Sequence, residues 1–213
     1  MSHRLGNLSM KYETGFRPGQ EAKACGVVST GLLGHGKADP GGKSYGAYQL
    51  TSTVQGGQRV LAFLRADGAR WLTRFTGRDP TRAGRFESEW KLCAAEAPDA
   101  FFAAQHDFIK RTHFDAVVGA VKKLTRIDCS TRSPGVCDVI WSMSVQHGRA
   151  AQLIVATVEA LKARVPVDDA GYDRALINAL FDRREDYVRP LGLDQLIRNR
   201  YVPERRDALA MLA

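Results

Sequence analysis

The sequence predicts a mainly α-helical protein, α+β in the strict sense, with one small β-hairpin after its first helix. Three observations lead there. After Thr53 the apolar residues recur at helical spacing almost to the end, broken only by caps and turns. Before it, residues 16–46 concentrate glycine, carry Pro18 and Pro40, and hold only short β-favouring runs, Val27-Val28-Ser29-Thr30 and the stretch 45–50. The third is size: with 213 residues, 44% apolar and 25% charged, the chain buries about 70% of its unfolded surface and needs no staple. No linker, low-complexity tract or internal repeat interrupts it, so residues 1–213 are read as a single domain.

In order along the chain, Leu5, Leu8 and Tyr12 share a helical face in a segment beginning at Ser2, and Gly15 stops it, which puts Glu13 in the last turn of a first helix. Loops and the hairpin occupy 16–46. Helices are then expected over 54–66 and 81–95. Pro98 suits the first turn of a helix bearing Phe101, Phe102, Phe108 and Ile109, and 115–124 continues the pattern. Ser133-Pro134 is a second such start. It opens a segment with Val136, Val139, Ile140, Trp141, Met143 and Val145, apolar on most faces as a central helix must be, and Gly148 ends it. Shorter helices follow over 151–164, 171–183 and 203–212.

Composition removes several functions. Thirty-one Lys and Arg against 23 Asp and Glu leave a net charge of +8, which draws the chain to polyanions. The cations are dispersed, without a basic arm or aromatic-basic pattern, so nucleic acid is not an expected partner. Apolar runs such as 136–145 are interrupted by Asp138 and fall short of the roughly 20 residues a membrane span needs. Residues 1–10 lack the apolar core of a Sec signal. Gly31 and Gly36-Lys37 approach a P-loop, but Ala38 stands where a magnesium-binding hydroxyl belongs. His106 and His113 lie two helical turns apart, about 10 Å, and cannot share a metal unaided. No GxSxG is present, and no metal or cofactor is expected. Cys25, Cys93, Cys129 and Cys137 show neither CxxC nor zinc spacing. A bridge from Cys129 to Cys137 would close a short turn and one from Cys25 to Cys93 a long loop, against buried free thiols as the alternative.

What remains is an acid at the end of a helix followed by a second acid in a glycine-rich segment, Glu13 and Asp39. That is the pair a glycosidase uses, one carboxyl to protonate the leaving oxygen and another across the sugar. Gly34, Gly36, Gly41 and Gly42 around Asp39 let backbone approach a bulky polysaccharide, and Tyr45 and Tyr48 offer rings to sugar faces. Plainer roles stand beside these: Trp141 as core, Asp138 as a helix-dipole acid, His147 as a residue at a helix C-terminus, Arg200 and Glu204 as a surface ion pair.

The string Leu8-Ser9-Met10-Lys11-Tyr12-Glu13-Thr14-Gly15, then Val28-Ser29-Thr30-Gly31 and Asp39-Pro40-Gly41-Gly42-Lys43-Ser44-Tyr45-Gly46-Ala47-Tyr48-Gln49-Leu50, resembles the chitosanase-like muramidases of the lysozyme superfamily. These occur as phage endolysins and as C-terminal peptidoglycan hydrolase domains of type VI secretion spike proteins and effectors. Ala104-Gln105-His106-Asp107-Phe108-Ile109, Trp141-Ser142-Met143-Ser144-Val145-Gln146-His147-Gly148 and Arg200-Tyr201-Val202-Pro203-Glu204-Arg205 extend the likeness over nearly the whole chain. It implies a lysozyme-like fold of two helical lobes around a cleft. It also implies cleavage of the β-1,4 bond between N-acetylmuramic acid and N-acetylglucosamine.

Carried over motif by motif, the resemblance makes Glu13 the general acid, Asp39 the second carboxylate and Ser44 the hydroxyl that holds water. Tyr45, Tyr48, Gln49 and His147 are the candidate substrate contacts beside them. Peptidoglycan glycan strands are the expected partner, with a cognate immunity protein or a secretion spike beside them. A monomer is expected, made in the cytoplasm without a Sec signal and acting in the periplasm on the cell wall. The chain starts almost at the family motif, so no separate delivery domain is expected ahead of it. One departure is a long stretch 16–26, which makes Glu21 a rival acid. Chitosanase, lytic transglycosylase and a non-catalytic wall-binding module are the alternatives, and inversion or retention is left open.

Overall fold

A computed structural model describes residues 4–16, 19–34 and 36–212, with the side chains of Glu13 and Thr14 outside the described set. In chain order it has α1 (Asn7–Thr14), α2 (Glu21–Cys25), β1 (Ser44–Tyr45), β2 (Leu50–Thr51), α3 (Arg59–Arg65), α4 (Arg85–Glu96), α5 (Pro98–Ile109), α6 (Ala116–Thr125), α7 (Pro134–Gln146), α8 (Ala150–Lys162), α9 (Tyr172–Val188), the single turn α10 (Asp194–Leu196) and α11 (Val202–Ala210). Among the described residues helix makes up 64% and strand 3%, so the fold is mainly α with one antiparallel hairpin, as the periodicity predicts. The chain divides into two compact units, Met1–Glu13 with Lys110–Ala213, and Thr14–Ile109.

The unit formed by the chain's two ends is built around α7, in which every residue from 135 to 144 is buried. Ser133 starts it by accepting a hydrogen bond from the Val136 amide on its Oγ, with Pro134 in the first turn. α8, α9 and α11 pack around it. Within this core sits a charged cluster. Glu204 and Arg184, both 0% exposed, pair at 3.4 Å, and Arg200 Nε donates to the other Glu204 oxygen at 3.2 Å. Arg184 Nη2 also donates to Gln146 Oε1 at 2.6 Å and to Ser142 Oγ at 3.2 Å, and its guanidinium lies 4.2 Å from the Tyr201 ring. The i,i+4 pair Arg200–Glu204 is therefore no surface bridge: its carboxylate is shared with an arginine arriving from α9.

The unit Thr14–Ile109 has an aromatic core centred on Trp90. The rings of Phe101, Tyr45, Phe63 and Phe75 lie 4.7 to 6.2 Å from it, all edge-on, a geometry worth about 0.5–1.5 kcal/mol per pair beyond area burial. The carbonyl of Cys25 accepts from Trp90 Nε1 at 2.8 Å and from Gln105 Nε2 at 3.1 Å, while Gln105 Oε1 accepts the Ala47 amide at 3.0 Å. One buried glutamine thus ties α2 and the hairpin loop to α5.

Three further expectations change. α2 lies inside the segment read as loop. The helix expected over 54–66 begins only at Arg59, because Gly57 and Gln58 take left-handed backbone at φ +79° and +44°. All four cysteines are buried free thiols, so neither proposed bridge is present. Cys137 Sγ instead donates to the Cys129 and Arg132 carbonyls at 3.5 and 3.6 Å, and Cys25 Sγ to Ala22 O at 3.3 Å.

Candidate active site

Asp39-Pro40-Gly41-Gly42 has the residue order of a type I turn, acid first, proline second, glycine last. The Gly42 amide closes it on the Asp39 carbonyl at 2.8 Å, and the Gly41 amide donates to Asp39 Oδ1 at 2.7 Å, which fixes the carboxylate. Among the described residues Oδ2 has no hydrogen-bond partner. The segment after β2 clamps this turn: the Ser52 and Thr53 amides donate to Gly41 O at 3.1 and 3.3 Å, and Thr53 Oγ1 to Pro40 O at 2.6 Å. Gly42 has φ +71°, and a Cβ there would meet Ser52 Oγ and Thr53 Cγ2 at 2.6 Å, so the turn admits only glycine without a shift.

Ser44 and Thr51 are paired across the hairpin and share its less buried face. The Ser44 amide donates to Ser29 Oγ at 2.8 Å and its carbonyl accepts from Ser29 N at 2.9 Å, so the backbone under this hydroxyl is held from both sides. Asp39 Oδ1 and Thr51 Cγ2 both border the position a Cβ on Gly41 would take, at 3.2 and 3.0 Å. Thr51 is a neighbour of Asp39 that the motif reading does not single out.

Tyr45 points the other way, since strand residues alternate faces. It is fully buried, donates to Pro80 O at 2.7 Å and packs on Phe86 and Trp90, so it is a core residue and not a sugar platform. Tyr48 is half-buried, with its hydroxyl 2.8 Å from His106 Nδ1. Gln49 is exposed at the hairpin loop with φ +50°. Glu21, the rival acid, is half-buried in the first turn of α2.

In the other unit, Glu13 occupies the last turn of α1, and its carboxyl lies outside the described residues. The helix that carries it is held at both ends. Asp138, fully buried in α7, accepts the Gly6 amide at 2.8 Å and the Leu8 amide at 3.0 Å, capping the N-terminus of α1 from another helix. Asp207 of α11 accepts from Tyr12 Oη at 2.7 Å and from Lys11 Nζ. Burial would raise the Asp207 pKa, but hydrogen bonds from Lys11, Tyr12 and Arg206 hold it below the ordinary range. Burial first, then Asp207, pushes Tyr12 far up, so it stays a neutral donor.

Asp138 is thus not a dipole acid for its own helix. A carboxylate amid the apolar positions of α7 was the available signal, because a buried charge requires donors from elsewhere. His147 is only 9% exposed, within reach of Tyr201 Oη at 3.3 Å and edge-on to Tyr187. Burial, then Arg184 and Arg200, lower its pKa to about 4, so the ring is neutral at neutral pH and presents little surface to a substrate.

The sequence of this chain matches a described protein family. The profile for "Type VI secretion system spike protein VgrG3-like, C-terminal" covers residues 5–193. The chain therefore belongs to the VgrG3-like C-terminal family of type VI secretion system spike proteins. Among curated proteins it is similar to the type VI secretion system spike protein VgrG3 of Vibrio cholerae, 35% identical over 150 residues. That match covers 70% of this chain and 13% of the relative's length. Among the described residues no helix is long and apolar enough to cross a membrane.

Proposed function

We propose that the chain is a single lysozyme-like catalytic domain that hydrolyses peptidoglycan. It cleaves the β-1,4 bond between N-acetylmuramic acid and N-acetylglucosamine. Glu13 protonates the leaving oxygen, Asp39 acts as the second carboxylate on the attacking side, and the Ser44 hydroxyl holds the water. Tyr48 and Gln49 flank the glycan. The observation that carries this reading is the Asp39 turn. One carboxylate oxygen is pinned by the Gly41 amide, which leaves Oδ2 for a reacting water, on a backbone clamped through Gly41 O and Pro40 O. Such a carboxylate is held before substrate arrives. Membership of a spike-protein family supports delivery with a type VI spike, work in the periplasm, and an immunity protein in the producing cell.

The test compares release of soluble fragments from purified sacculi by the wild type, Asp39→Asn, Ser44→Ala and Glu21→Gln. Hydrolysis by two carboxylates predicts loss of at least 100-fold in Asp39→Asn, a smaller loss in Ser44→Ala, and none in Glu21→Gln. Full activity of Asp39→Asn would move the chemistry to a one-acid transglycosylase. Loss in Glu21→Gln would move the acid to α2. Binding of sacculi without release would make the chain a wall-binding module. A chitosanase, with its cationic substrate, fits a +8 protein poorly.

A further inference from the structure

Two of the four thiols are neighbours, and neither takes part in the carboxylate chemistry. Cys129 begins a 3₁₀ turn, Cys129–Thr131, that leads into α7, and Cys137 lies in the first turns of α7. The Cys137 thiol is folded back into that turn: its Sγ lies 3.5 Å from Cys129 O, 3.7 Å from Ser130 O and 3.6 Å from Arg132 O. Cys129 is 0% and Cys137 9% exposed. Thiol hydrogen bonds are weak, so little is lost if that sulfur turns from the carbonyls toward the other thiol. The Cys137 sulfur is also near enough that its charge would disfavour ionisation of Cys129. Cys25 is differently placed, its Sγ directed to the Ala22 and Pro98 carbonyls.

We propose that Cys129 and Cys137 form a latent disulfide, a modification site that closes when the protein meets an oxidising compartment. The thiolate of Cys137, the more exposed of the two, attacks a sulfur of an external disulfide such as oxidised glutathione. That releases one external thiol and leaves a mixed disulfide on Cys137. The Cys129 thiolate then attacks the Cys137 sulfur and expels the second external thiol. Two protein thiols have been oxidised, one external disulfide has been reduced to two thiols, and the two protein protons end on them. Burial raises both pKa values, Cys129 to about 12 and Cys137 to about 11, so thiolate is scarce and exchange in the folded protein is slow, while a reducing cytosol holds both as thiols. The bridge would staple the residues just ahead of Asp138, whose carboxylate caps α1. This inference does not depend on the muramidase reading.

The test is refolding of the full chain in a glutathione buffer set to an oxidising ratio, followed by thiol titration, intact mass and disulfide mapping. The expected result is two free thiols instead of four, a mass lower by two hydrogens, and one cross-link joining the peptides that hold Cys129 and Cys137. The melting temperature should rise by about 5 °C over the reduced protein, the loop-entropy effect expected for so short a loop in a chain of this size. Cys137→Ser should abolish the cross-link and the rise together, while Cys25→Ser and Cys93→Ser keep both. Four free thiols in the refolded, folded protein would overturn the proposal. So would a cross-link mapped to Cys25 and Cys93.

Discussion

Asp138 does for α1 what a side chain at that helix's own N-terminus ordinarily does. It meets the Gly6 and Leu8 amides from inside a neighbouring core helix, so its loss leaves two buried donors without partners. Asp138→Ala should lower unfolding stability by about 2–4 kcal/mol, read as a reduced denaturant midpoint at unchanged slope; Asp138→Asn, which keeps one acceptor, should lose less. An unchanged midpoint in Asp138→Ala would mean that α1 does not depend on this cap. Glu13→Gln should abolish release from sacculi and leave circular dichroism and melting unchanged, since an amide cannot give the leaving oxygen its proton.

His147 supplies a pH dependence at the same scale. Its folded pKa, about 4, lies below its ordinary 6.5, so the unfolded chain binds the extra proton between those values. Stability is fully present above about pH 6.5 and is lost as pH falls toward 4, by an amount on the order of 3 kcal/mol. His147→Gln should flatten that part of the stability curve. A histidine buried with Arg184, Arg200, Tyr201 and Tyr187 around it resists protonation because burial and the two guanidinium groups disfavour the new charge more than the Glu204 carboxylate favours it.

At the scale of elements, the long helices were legible and the short ones were not. α5 and α7 announce themselves by period and by Pro98 and Ser133-Pro134, and both begin where those residues predict. Ser133→Ala should cost about 1 kcal/mol in thermal or denaturant unfolding. α2 has five residues amid glycines, and its stability comes from Cys25 O receiving Trp90 and Gln105, a tertiary fact invisible to local pattern. The start of α3 was misread because Gln58 adopts a left-handed conformation that favours glycine, while the sequence reads as helix through it. In the hairpin, the Asp39 turn was readable from its residue order. With strands of two residues each, alternation had too little length to tell that Ser44 faces out and Tyr45 in. The spacing of Arg200 and Glu204 carried no sign that Arg184 would arrive from α9 and bury them.

For the molecule as a whole, the excess of 31 basic over 23 acidic side chains is a long-range property that belongs to no single contact. If it recruits the protein to an acidic wall, turnover on sacculi should fall as salt rises past about 0.1 M, where the field's reach drops to about 10 Å, and turnover of an uncharged chito-oligosaccharide should not. An equal salt response on both substrates would remove recruitment from the account. The central claim is narrower: which bond in the wall is broken, and by what chemistry. Mass spectrometry of the soluble fragments released from purified sacculi reads both at once. The account predicts muropeptides ending in reducing N-acetylmuramic acid, absent with Glu13→Gln. Fragments ending in 1,6-anhydro sugars, in reducing N-acetylglucosamine, or no fragments at all would contradict it.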